Sequence, residues 1–281
     1  MVLFCALQFP LKSVKVKYID DGTVATSINL KKCLINDPIN RQRPLNYHER
    51  TMPPENNLLQ YYMDDTEKFT LENRMKINPK KSQVILFNKS RNWDFPPEVS
   101  FADGNNLEYV SELKLVGVVI SDDLRWGKNT QYICKKASQR LWTLRRMKML
   151  SLDEEIILDT YTKEIRSILE LAVPVWHSGL TAKQIRDIER VQKTALMIIL
   201  GTNYFDYEVA CTLMGVEPLA IRRETLCLKF AEKDVKKDNS LFNKSEVNTR
   251  NKNLVIEPKC NTKRFRNSSI PYLSRLLNDP P

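Results

Sequence analysis

The chain has 281 residues, enough for one large or two medium domains with real cores. Its formal net charge of +10 favours polyanionic partners, nucleic acid first and an anionic membrane surface second. Six Cys without close pairs, two distant His and no apolar run near the roughly 18 residues of a membrane span speak against a zinc ribbon, a disulfide scaffold, a histidine triad and a spanning helix.

Residues 13–17 and 22–28 read as two strands around Tyr18-Ile19-Asp20-Asp21, a hairpin over 11–30. Adjacent carboxylates at such a tip project toward one point, where they can hold a divalent metal. An Asp-Gly hairpin turn with no metal is the alternative, since that pair is favoured in turns. Residues 36–57, with Pro38, Pro44, Pro53 and Pro54, are a loop or insertion. Leu58, Tyr61 or Tyr62, Phe69 and Met75 recur at helical spacing and predict a helix over 57–77. A second acidic pair, Asp64-Asp65, falls inside it. Asn78-Pro79-Lys80-Lys81 is a turn, 82–87 a buried strand, 88–106 a loop, and 113–120 a strand in which Gly117 permits close backbone approach.

The rest is helical, with no internal repeat. A helix over 129–150 places Ile133, Ala137, Leu141 and Leu144 on one stripe. Lys135 and Arg146 fall opposite, Lys136 and Arg145 flank, and Arg140 and Lys148 break the pattern. From 124 to 150 there are eight Lys or Arg and no acid, more than an ordinary solvated face requires. Trp126 and Trp142 are expected to pack in the core, with stacking on a ligand as the alternative. Ser151-Leu152-Asp153-Glu154 and Thr181-Ala182-Lys183-Gln184 both have the form of capping boxes, opening helices that end before Pro174 and at Gly201. Trp176 and His177, at the Pro174 break, are expected between helices. A further helix spans about 219–236, and the segment from 241 onward adds eight basic residues against three acidic. Arg222, Arg223, Lys263, Arg264 and Arg266 are candidate phosphate contacts, with solvated charge as the alternative for each.

In this order, Tyr18-Ile19-Asp20-Asp21, Met75-Lys76-Ile77-Asn78-Pro79-Lys80-Lys81-Ser82, Leu113 to Ile120, Asp123-Leu124-Arg125-Trp126, Ile165 to Glu170, Val175-Trp176-His177, Leu213 to Glu217 and Ile270-Pro271-Tyr272-Leu273 are similar to segments of one family. The chain resembles the C-terminal part of reverse transcriptases of non-LTR, jockey-like retrotransposons. That likeness implies an α+β fold: a partial polymerase palm of antiparallel strands plus helix over 1–126, a helical thumb-like domain over 127–238, and a basic C-terminal tail over 239–281. The family's catalytic hairpin needs a return strand and then a helix before the Asn-Pro-Lys-Lys turn. Only Asp20 and Asp21 leave room for both, so Asp64 and Asp65 are expected to decorate the helix.

The resemblance implies nucleotidyl transfer with Asp20 and Asp21 as ligands of Mg2+ or Mn2+, if the catalytic site is complete. It gives Lys81 a role beside leaving pyrophosphate, with a solvated turn lysine as the alternative. It makes 115–120 a primer-grip hairpin, although Val116 stands where the family usually has Leu. The family's first catalytic Asp lies on an upstream strand, and residues 1–14 hold no acid, so the chain alone is expected not to polymerise. RNA template, DNA primer and RNA–DNA hybrid are the partners implied, with Lys128, Lys135, Lys136, Arg140, Arg145 and Arg146 on the duplex backbone. A non-catalytic nucleic-acid-binding remnant of such an element is the alternative, and a helical interaction module the third possibility. No signal peptide is expected from residues 1–7, and the location expected is nuclear or cytoplasmic.

Overall fold

Short apolar and alternating segments before residue 125 yield strands around one helix, and the long amphipathic patterns beyond it yield helices. A computed structural model describes residues 2–7, 14–16, 23–28, 58–87, 98–237, 240–243 and 255–280. The chain divides into two units, Met1–Lys114 with Ile120–Leu124, and Leu115–Val119 with Arg125–Pro281. The fold is α+β.

In the first unit β1 (Val2–Leu7), β2 (Val14–Val16), β3 (Thr23–Ile28), β4 (Gln83–Phe87) and β5 (Glu108–Tyr109) form one sheet in the order β2-β3-β1-β4-β5. β2 and β3 pair antiparallel, Val14 opposite Ala25 and Val16 opposite Thr23, as the ribbon around the first acidic pair requires. Asp20 and Asp21 themselves lie outside the described residues. The other pairings differ from the antiparallel palm expected: β1 runs parallel to both β3 and β4, and β4 parallel to β5. The cause is β1, a run of six mostly apolar residues whose lack of period gives no strand signal in sequence, and which takes the sheet's centre. Strands that run parallel in one sheet need a long crossover, and the connection from β3 to β4, which flank β1, contains α1 (Leu58–Glu72). Val84 and Ile85 are consecutive and both fully buried, so β4 is covered on both faces.

Met63 of α1 is fully buried, and Gln60 clamps the 98–107 segment, donating to Ser100 O (2.9 Å) and accepting from Ser100 N (2.8 Å). The helix ends at Glu72, short of residue 77, because Arg74 turns left-handed at φ 54° and Asn73 Nδ2 donates back to Phe69 O. Asp64 and Asp65 lie within it, and Asp64 is exposed. A single 3-10 turn, Pro79–Lys81, follows, with the Asn78 side chain accepting from Lys80 N (3.1 Å).

β6 (Glu112–Leu115) and β7 (Val118–Ser121) form a two-stranded sheet where one strand over 113–120 was expected from periodicity. Two residues join them, too few for anything but a hairpin. Val116 (φ 47°) and Gly117 (φ 86°) both take the positive φ that a primed turn needs.

The second unit is built from α2 (Gly127–Met149), α3 (Glu154–Thr160), a π-helical stretch (Tyr161–Arg166), α4 (Ser167–Glu170), α5 (Val173–Trp176), α6 (Ala182–Leu200), α7 (Tyr207–Leu213), α8 (Leu219–Val235), α9 (Lys263–Arg266) and α10 (Ser269–Asn278). Only one of the two predicted capping boxes forms. Thr181 Oγ1 accepts from Gln184 N (3.3 Å), and Gln184 Oε1 accepts from Thr181 N (2.7 Å). Ser151 instead sits left-handed at φ 54° and its amide closes α2 onto Lys148 O (3.0 Å), so it cannot hold the extended backbone of an N-cap. Asp153 takes that position without a side-chain bond.

The core runs between the stripe Ile133, Ala137, Leu141 and Leu144 of α2 and Ile188, Val191, Ala195, Leu196 and Ile199 of α6. Beside it a buried polar chain ties four elements together. Tyr161 Oη donates to Gln192 Oε1 (2.5 Å), and Gln192 Nε2 donates to Tyr207 Oη (3.0 Å) and Glu217 O (2.9 Å). Tyr207 Oη donates to Glu189 Oε2 (2.5 Å), and Glu189 also accepts the first amides of α8, from Leu219 (3.2 Å) and Ala220 (2.5 Å). The carboxylate therefore caps α8 at its positive end. It also faces Arg223, fully buried, at 4.0 Å. The stretch expected as a basic tail holds a docked helix: α10 packs on α8 through Leu273, Leu276 and Leu277, and Asn278 brackets Val255 (3.2 and 3.0 Å).

A β-carbon built on Gly117 would stand 2.7 Å from Leu171 Cδ2. Gly117→Ala is therefore expected to lower stability by about 1–3 kcal/mol, while Val116→Asn relieves a β-branched left-handed residue and raises it by about 1 kcal/mol. Glu189→Ala strands the Arg223 charge and should cost about 3–5 kcal/mol, whereas Arg223→Met should be neutral or stabilising. Urea denaturation of the four variants reads both contrasts.

Candidate nucleic-acid interface

Of the three residues given catalytic roles, Lys81 alone is described, exposed at the Pro79–Lys81 turn. Among the described residues no group of three or more His, Cys, Asp or Glu stands where it could hold a metal ion. The carboxylates to which the resemblance gives that role are outside them. Among the same residues, no helix is long and apolar enough to cross a membrane.

Helix α2 gathers the six residues expected on nucleic acid. Asn129 fixes its start, its Oδ1 accepting from Val119 N (3.1 Å) of β7. The four-residue apolar stripe then sets the rotation of the helix against α6, and every cation is left on the remaining surface. Lys128, Lys135, Lys136, Arg140, Arg145 and Arg146 are all exposed. Among the described residues no acid pairs with Lys135, Lys136 or Arg145.

The two cations that broke the sequence stripe are explained by partners on neighbouring helices. Arg140 pairs with Glu164 and also donates to the Glu164 carbonyl (3.2 Å). Lys148 Nζ donates to Ile199 O (2.5 Å) at the carbonyl end of α6 and pairs with Glu154 (3.2 Å). Arg140 is therefore a bridge within the unit before it is a ligand contact. Lys135, Lys136, Arg145 and Arg146 form the open part of the surface.

The residue missed in sequence is Trp142. Core packing was expected; the side chain is 62% exposed, with the Arg146 guanidinium 5.5 Å from its ring centroid. Its register shows why. At about 100° per residue, position 142 lies opposite the stripe through 133, 137, 141 and 144, on the line of Lys135 and Arg146. Trp126 is half-buried instead, its indole lying where a β-carbon on Gly179 would stand 2.6 Å away.

Two arginines weighed as phosphate contacts are removed from that role. Arg223 is fully buried, with Nε and both terminal nitrogens lacking a hydrogen-bond partner, and burial pulls its pKa down. Arg222 pairs with Glu170 across helices, Nη2 to Oε2 at 3.4 Å. Burial, with Arg223 adding repulsion, lowers His177 from 6.5 to about 4. Its ring meets Tyr272 edge-on (5.8 Å), beside the fully buried Trp176. Burial raises Cys134 to about 11 and Cys227 to about 12, which makes both thiols poor nucleophiles. A second basic region lies at α9, where Lys263, Arg266 and Arg275 line an open cleft of about 600 Å3. Arg275 is partly engaged there, by Glu257 (3.0 Å) and Arg266 O (2.8 Å).

No family model, curated protein or solved structure matches the chain.

The His177 shift has a consequence for stability. As pH falls below 6.5 the unfolded chain takes up the proton first, because the folded imidazole resists it down to about 4. The contribution is complete above pH 6.5 and is lost progressively toward about 4. The stability difference between the chain and its His177→Phe variant, followed by urea denaturation, should change across that window and stay flat above it.

Proposed function

We propose that the chain corresponds to the palm-to-thumb part of an RNA-directed DNA polymerase of the non-LTR, jockey-like retrotransposon type, and that α2 is its grip on an RNA–DNA hybrid. The observation that carries this reading is the one-sidedness of α2. An apolar stripe faces α6, and a surface with four open cations and no acid lies opposite. Phosphates need cations in no fixed sequence, and a helix of 23 residues spans about 35 Å at 1.5 Å per residue, enough to follow several phosphates of a duplex.

The pairing of β2 with β3 supports placing Asp20 and Asp21 at a ribbon apex, and the β6–β7 hairpin with its Gly117 tip supports a primer-side element. Asp20 and Asp21 would hold Mg2+ or Mn2+, which on binding lowers the pKa of a primer hydroxyl and neutralises charge on departing pyrophosphate. Lys81 would meet that pyrophosphate as a point charge. One feature favours a chain that binds without catalysing: β1, the neighbour of β3 at the sheet centre, has the sequence VLFCAL and carries no carboxylate. A single Asp pair is a poor anchor for two ions. A nuclear or cytoplasmic location suits such a partner.

Binding of a labelled RNA–DNA hybrid to the purified chain tests the reading. Affinity should fall steeply with salt. Lys135→Glu with Lys136→Glu and Arg145→Glu should weaken binding at least tenfold and flatten the slope of log K against log[salt] by roughly 3, at about 0.9 per phosphate contact. Unchanged affinity in the triple variant would refute the assignment of α2. Primer extension with Mg2+ should be absent; its appearance would refute the non-catalytic reading and leave the grip standing.

A further inference from the structure

Resting on that nucleic-acid reading but going beyond the grip on a duplex, we infer that α2 also carries a stacking position for one unpaired base. It is formed by Trp142, with Arg146 over its ring and Lys135 and Arg145 beside it. Cations suffice for a duplex backbone, and the base faces of a duplex are already covered by their neighbours. An indole on a phosphate-facing helix therefore gains nothing from a duplex except at an end. Single-stranded RNA or DNA offers open base faces, and a groove of cations with an aromatic platform is the usual means of holding it.

Three observations point to this occupant. Trp142 is 62% exposed, on the side of the helix opposite its buried stripe. Arg146 lies 5.5 Å from the ring centroid, which orients the ring and adds a cation within reach of the phosphate next to a stacked base. Lys135, seven residues before Trp142, and Arg146, four after, put positive charge on both sides of the ring along one line. They span roughly 16 Å at 1.5 Å of rise per residue. The absence of any acid from 124 to 150 leaves that line uniformly attractive to a polyanion. An acidic protein segment is the rival occupant, and Met149, exposed seven residues further on, would serve it equally well.

The test uses the full chain with three fluorescent probes: short oligouridine, short oligothymidine, and a blunt RNA–DNA hybrid of the same length, each with an abasic version at the central position. Stacking on an aromatic is worth about 1–3 kcal/mol per base, so Trp142→Ala should weaken both single strands by roughly fivefold to hundredfold. The hybrid should change less than about twofold, and Trp142→Phe should recover most of the loss. Removing the base should reproduce the Trp142→Ala loss and not add to it. A difference between the uridine and thymidine arms tells which nucleic acid the site prefers. Equal single-strand affinity in Trp142→Ala, or an equal loss on hybrid and single strands, would overturn the stacking site while leaving the duplex grip intact. No binding to any probe would remove both. The substitution is at an exposed position, and an unchanged circular dichroism melt confirms that the scaffold is kept.

Discussion

Four residues on the inner side of α2, Ile133, Ala137, Leu141 and Leu144, constrain the rest of the second unit. Their burial on the side of the helix that packs against α6 sets the rotation about the helix axis. Once that rotation is set, eight basic residues in a stretch without acids have nowhere to go but outward or onto a neighbouring helix. Arg140 and Lys148 go to neighbours, one to Glu164 and one to the carbonyl end of α6. Lys135, Lys136, Arg145 and Arg146 remain on the exposed side of the helix. The packing and the candidate interface are thus two sides of one constraint.

The scaffold behind that surface is held by a polar chain, where an apolar core might have been expected. Glu189 accepts from Tyr207 and from two backbone amides at the start of α8, and faces the buried Arg223. The half-buried carboxylate is tolerated there because nearly all its acceptor positions are used. Arg223 is the strained member, fully buried with no hydrogen-bond partner on any nitrogen. Glu189 thereby joins α6, α7 and α8, and Arg223 adds its repulsion to the burial that depresses the basicity of His177.

Legibility in sequence followed the strength of the local pattern. The α2 stripe, the Thr181 box, the end of the helix before Pro174 and the helix from Leu219 could be read directly, because period and cap agreed. The Ser151 box could not, because the same Ser-x-x-Glu spelling follows immediately on another helix, and closing that helix took precedence. β1 was invisible, since a short apolar run has no period and its partners lie on distant strands. The antiparallel expectation for the sheet failed for the same reason. Arg222 and Arg223 looked like surface cations because their acid partners, Glu170 and Glu189, are more than thirty residues away. Trp142 could have been placed by counting its angle from the stripe. Its exposure was misjudged because tryptophan is more often found inside.

Photocrosslinking of a hybrid carrying a single-stranded overhang, followed by peptide mapping, tests the central claim most directly. If α2 is the interface, crosslinked peptides will map between Lys128 and Arg146, with overhang crosslinks concentrated at Trp142. Crosslinks confined to the α9 cleft around Lys263 and Arg266, or spread evenly over the chain's basic residues, would contradict it.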